Sequence, residues 1–185
     1  MQVRLLVIFV AVAAAFVGRA ATLAEADDIQ LNLKLRGKGS LSIGHGTVPK
    51  ATSTLDGSDQ VITFVMPITL TDARGTGDGW STSVTSTTFS DGSGDTLADD
   101  AASVSAVDVS CDAGGQCTAP ASAVSYPLPV PAGATAPAAT VFFDAGSGTG
   151  LGAFELDTSV DVTIPGNTYA GKYKSTMTFT AATGP

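Results

Sequence analysis

After residue 26, apolar and polar positions alternate with a period of two along most of the chain. From Asp28 to Arg36, Ile29, Leu31, Leu33 and Leu35 point one way, and Gln30, Asn32, Lys34 and Arg36 the other. That spacing predicts a half-buried strand. Gly37-Lys38-Gly39 predicts a turn, Ser40 to Ile43 a short strand, and Thr47 to Gly57 a loop. Val61 to Leu70 predicts a second strand with Ile62, Phe64, Met66, Ile68 and Leu70 on one face. Pro67 cannot donate to a ladder, so this strand belongs at an edge or a bulge. Asp72 to Gly79 is a polar, glycine-rich connection. Trp80 to Phe89 is a Ser/Thr-rich strand with Trp80, Thr82 and Val84 on one side.

The second half repeats the pattern. Asp91 to Asp100 is an acidic loop, and Val104 to Val109 a short strand. Ala119 to Ala139 carries five prolines and reads as an extended connection, with an edge strand near Val124 to Tyr126. Thr140 to Asp144 is a buried strand, and Ala145 to Gly152 a glycine turn. Phe154, Leu156, Val160, Val162 and Ile164 belong to the next strand or pair of strands. In the final segment, Tyr173, Ser175, Met177, Phe179 and Ala181 share a face. No stretch after residue 26 has a helical period. Many short strands at this spacing predict an all-β, single-domain antiparallel β-sandwich, immunoglobulin-like or jelly-roll-like.

The first residues follow a different rule. Arg4 precedes an apolar run from Leu5 to Val17, and Ala24-Glu25-Ala26 offers a cleavage site before Asp27. Gly18-Arg19-Ala20 is a weaker alternative. Residues 1–26 read as a secretory signal peptide, and residues 27–185 as the mature domain. The apolar run is too short to span a bilayer comfortably, and no later run approaches that length. Losing Arg4, Arg19 and Glu25 with the signal leaves seven basic and sixteen acidic side chains, a net charge of −9. Such a surface disfavours nucleic acid. Cys111 and Cys117 are the two cysteines, and export makes a disulfide between them the default. A zinc site has no support, because His45 is the single histidine.

Four stretches carry a family resemblance. Thr71 to Trp80 is a glycine-rich approach to a tryptophan. Phe143 to Gly152 is a small-residue turn before the penultimate strands. Val162 to Tyr173 and Tyr173 to Pro185 close the chain. Together they resemble the WxL-domain family of secreted bacterial cell-surface proteins, as a divergent member, over roughly residues 28–185. The family's distal motif runs Tyr, three residues, an aliphatic residue, Thr, Trp, one residue, Leu, and a final Pro. Here Phe179 stands for the Trp and Ala181 for the Leu, and Thr82 replaces the Leu expected after Trp80. If those family side chains touch the wall, binding is weakened or retargeted; if they are core residues, the swaps change packing. The cysteine loop and proline-rich stretch, about 110–139, look like insertions. The resemblance implies a β-rich fold and non-covalent attachment to the Gram-positive wall through peptidoglycan or another wall glycan. It also implies other surface proteins as partners.

Trp80, Tyr173 and Phe179 are the candidate wall contacts or their scaffold. Trp80 can stack on a sugar ring, or fill the core with its indole N–H bonded to backbone. Phe179 and Tyr173 alternate with Met177, as a core face requires, and Tyr173 can still offer its hydroxyl at a rim. The Asp91 to Asp100 loop is oxygen-rich, but Ala102 stands where a calcium loop needs a bidentate Glu, so it reads as a solvated turn. Gly148 to Ala153 matches a dinucleotide fingerprint, yet a strand pattern follows where a helix is needed. No nucleophile elbow occurs, and Glu155 is the single Glu of the mature chain. The expectation is therefore a non-enzymatic, secreted, wall-associated protein with no cofactor or metal. The alternative is a fibre or pilus subunit that donates the strand Ile29 to Leu35 to a neighbour.

Overall fold

The computed structural model describes residues 33–37 and 39–185. The proposed signal peptide and residues 27–32 lie outside them. Two compact units divide at Lys34 and Leu35, and the β-structure belongs to the second. No helix occurs among the described residues. The strands are β1 (Leu41–His45), β2 (Gln60–Asp72), β3 (Trp80–Thr87), β4 (Ala102–Cys111), β5 (Leu128–Pro129), β6 (Ala132–Gly133), β7 (Thr140–Ala145), β8 (Gly152–Ile164) and β9 (Met177–Thr183).

They form two sheets. The first has the order β1-β2-β8-β4-β5. In the second, β3 is central; β9 pairs with one side of it, and β7 and β6 share the other. Every pairing is antiparallel except the two-residue contact of β3 with β6. Inward residues of both sheets, including Ile68, Leu70, Val84, Phe142, Phe154 and Leu156, make one core. The all-β sandwich expected from the alternation is the observed architecture.

Several boundaries shift for physical reasons. The run from Phe154 to Ile164 is one strand, because Thr158 keeps the inward parity. Thr158 is buried, and its hydroxyl donates to the Leu156 carbonyl at 3.4 Å. The described part of the expected first strand, Leu33 to Arg36, is not a strand, and Leu33 and Leu35 are exposed. The last strand begins at Met177 rather than Tyr173. Before it, Ser175 Oγ donates to the Thr87 carbonyl and Thr87 Oγ1 accepts from Thr176 N–H, so hydroxyls interrupt the ladder.

The proline-rich stretch is structural. Val124 to Tyr126 is not a strand; β5 pairs with β4 in one sheet, β6 pairs with β3 in the other, and Val130 between them is fully buried. The segment crosses from sheet to sheet, and it carries its own core anchor. The Tyr126 hydroxyl donates to the Phe142 carbonyl at 2.6 Å.

Candidate functional site

Trp80 opens β3 directly after three glycines with positive φ, Gly75, Gly77 and Gly79. The last is required sterically: a Cβ on Gly79 would strike the Ala145 carbonyl. This approach turns the indole inward. Trp80 has no exposed surface, and it packs against Phe143 and Phe154 with ring centroids 5.9 and 6.0 Å away. Its Nε1–H donates to the Gly150 carbonyl at 2.8 Å. Gly150, at φ +69°, lies so close to the indole that any Cβ would collide with it. Of the two possibilities for Trp80, this geometry has the buried indole bonded to backbone. A side chain so enclosed reaches no ligand from outside in this conformation.

Parts of three of the four segments that carry the resemblance meet around Trp80. Gly148 N–H donates to the Gly77 carbonyl at 2.8 Å, joining the two glycine-rich turns. Thr183 pairs with Trp80 across the β3–β9 ladder, and Gly184 N–H donates to the Gly79 carbonyl at 3.2 Å. Thr82 is buried, and its hydroxyl donates to the Phe143 carbonyl at 2.9 Å, which satisfies a polar group where a leucine would need none.

Asp72 and Arg74 fasten the same end. Arg74 lies over the buried Asp72 carboxylate, and its Nη2 also donates to the Gly79 carbonyl at 2.7 Å. Its Nη1 donates to Thr183 Oγ1 at 2.8 Å. The hydrogen bonds from Arg74 hold the Asp72 carboxyl below its ordinary range, against the opposing effect of burial. In the sequence this pair reads only as part of a polar connection. An Asp two residues before the sole Arg of the glycine-rich turn was the available signal.

The disulfide joins Cys111 at the end of β4 to Cys117, with Cα atoms 5.7 Å apart. Thr118 N–H donates to the Leu151 carbonyl at 2.8 Å, and Gly150 N–H to the Thr118 carbonyl at 3.0 Å. The bridged loop is therefore bound to the turn that covers Trp80.

Phe179 and Tyr173 lie elsewhere. Phe179 is half-buried opposite Val84 and meets Phe142 edge-on at 5.6 Å. It forms part of a cleft of about 330 Å³ between the sheets, with Phe64, Met66, Ile68, Phe89 and Met177. Tyr173 lies beyond the β3–β9 ladder, next to Lys174, which bridges Ser90. Its hydroxyl donates to the Tyr169 carbonyl at 3.1 Å. Desolvation, followed by the charges of Asp95 and Asp91, raises the Tyr173 pKa. The three candidates are thus spread along β3 and its extension to Ser90, roughly 30 Å of strand, and do not converge. The Asp91 carboxylate accepts from Ser93 and Asp95 N–H at 2.8 and 3.0 Å; these backbone bonds lower its pKa.

The family model of the WxL domain, described as surface cell wall-binding, matches residues 37–185. The chain belongs to the WxL family. The match begins just before β1 and takes in every described strand, so the cell wall-binding domain includes the whole described sandwich. No curated protein and no solved structure gives a match.

Proposed function

We propose that this WxL domain is a non-enzymatic, secreted module that holds its chain non-covalently on peptidoglycan, after removal of residues 1–26. The observation that carries the reading is the extent of the match: a wall-binding family spans the whole described sandwich. Trp80 acts as scaffold, because its burial and its bond to Gly150 shape the end where the two glycine-rich turns meet. Tyr173, half-buried beyond the ladder, supplies the contact that reaches outward, and Phe179, packed on Phe142 inside the cleft, belongs to its scaffold. Aromatic faces beside polar backbone suit sugar rings. Other surface proteins are expected as partners.

Retention of the mature protein on purified peptidoglycan tests this reading. Binding at low and moderate salt is expected, with a loss of retention in Tyr173→Ala and an unchanged glycan profile after incubation. No retention at either salt would overturn wall binding, and release of soluble glycan would overturn the non-enzymatic assignment. The exported protein should begin at Asp27 by N-terminal sequencing.

A further inference from the structure

One side of β2 is paired to β8 along its full length, but the other side is paired to β1 only from Ile68 to Asp72. Gly46 N–H still donates to the Pro67 carbonyl at 2.8 Å. Among the described residues no further backbone bond reaches the β1 side of residues 60–66. Pro67 is the cause. A hydrogen-bonded antiparallel pair exchanges two bonds, and proline has no N–H to return. His45 Nδ1–H donates to the Gly46 carbonyl instead, at 2.9 Å. The chain peels away there, and residues 47–59 run on without strand structure, most of them exposed.

Where β1 departs, the apolar cleft opens. Phe64, Met66 and Ile68 of β2 form one wall, Met177 and Phe179 of β9 the other, and His45 to Pro49 line the end next to β1, where an added strand would have to displace Val48 and Pro49. Among the described strands β9 pairs only with β3. The cleft thus combines an unladdered strand edge with inward side chains spaced two residues apart. That is the acceptor geometry for an added strand.

We propose that Ile29 to Leu35 of a second copy of this chain fills the cleft as an added β-strand along residues 60–66. The donor has the required period, with four aliphatic side chains on one face, and its length equals that of the open edge. Its described leucines, Leu33 and Leu35, are 84% and 83% exposed. The polar face complements the sheet it would join. Glu155, Asp157 and Asp161 share the outer face with Thr69, Pro67 and Thr63 of β2, and Asp108 stands directly opposite Asp157. An added strand brings Lys34 and Arg36 onto that face, about 10 Å from β8 and near one Debye length.

Chain reach excludes the same copy. Gly37 packs against the Arg74–Gly75 backbone. Met66 lies eight residues back from Arg74 along an extended strand, roughly 26 Å away. Leu35 can extend only about 7 Å from Gly37. The donor therefore serves a neighbour, and because each copy carries both donor and acceptor, the contact is head-to-tail and propagates.

Sedimentation velocity of the mature protein over a range of concentrations tests this. Concentration-dependent oligomers are expected. The double variant L33D/L35D should remain monomeric, with unchanged circular dichroism and unchanged retention on peptidoglycan, which separates assembly from wall binding. Pro67→Thr restores the missing N–H, lets the β1 ladder lengthen, and should also abolish self-association. Mixing the donor-dead variant with the Pro67→Thr variant should give heterodimers and nothing longer. A wild-type protein that is monomeric at every concentration would overturn the proposal, as would oligomers that persist in L33D/L35D.

Discussion

Arg74 grips Asp72 through two parallel hydrogen bonds, Nε to Oδ1 at 2.9 Å and Nη2 to Oδ2 at 2.8 Å. The fork geometry suits a planar guanidinium and not an ammonium. Because the same Arg74 reaches Gly79 and Thr183, the end of β2 in one sheet is tied to β3 and β9 in the other. Arg74→Ala strands a buried carboxylate, and should cost about 3 kcal/mol of unfolding free energy. Arg74→Lys should recover only part of the loss. Urea denaturation of the three proteins checks both.

The acid limb of stability follows from the same pair. The folded Asp72 pKa lies below its ordinary value of 3.8. Its contribution is therefore complete above that value and is lost as pH falls through the lower folded pKa. Asp72→Asn should be less stable at neutral pH, yet show a flatter dependence of melting temperature on pH below about 4. Equal slopes for the two proteins would contradict this assignment.

An alkaline limb is expected from Tyr126. Burial, aided by the Asp144 charge, pushes its pKa up from 10.0 to about 12. The folded state prefers the neutral phenol, so stability from this group is present below pH 10 and lost as pH rises toward the folded value. Tyr126→Phe should lower stability by about 1 kcal/mol at neutral pH through its missing hydrogen bond, and should weaken the alkaline loss. Tyrosinate absorbance during a pH titration reports the late-ionising phenol directly.

At Trp80, truncation to Ala should cost about 4 kcal/mol. Gly150→Ala tests the cage from the other side, since the new methyl meets the indole at a backbone φ of +69°. A loss of about 2 kcal/mol is expected from overpacking and strain. Thermal unfolding of Gly150→Ala unchanged from wild type would contradict the described contact.

Closing the short ring between Cys111 and Cys117 removes little chain entropy. Reduction should therefore lower stability by about 2 kcal/mol and leave the sandwich folded. Thermal scans with and without reductant, alongside the Cys111→Ser/Cys117→Ser variant, measure this.

Much of the sandwich was legible because strand parity is a local signal. Ile62 to Leu70 and Phe154 to Ile164 show their inward faces by alternation alone. The proline-rich segment was not legible in the same way: β5 and β6 are two residues each, set by which strand lies beside them. Trp80 was recognisable as special, but two positions in different turns, Gly79 and Gly150, decide its burial, through approaches to the Ala145 carbonyl and to the indole that are tertiary. Pro67 illustrates the converse. Its effect on the ladder was readable from chemistry, whereas the cleft it opens depends on β9 standing across from β2.

The placement of β9 has a temporal consequence. β3 begins the second sheet at residue 80, yet its partner on one side is the last strand, Met177–Thr183. Contacts that distant in sequence form slowly. Until the final residues arrive, that flank of β3 lacks its partner and Arg74 lacks Thr183. The clasp at this end of the sandwich therefore closes last, once the whole chain is present.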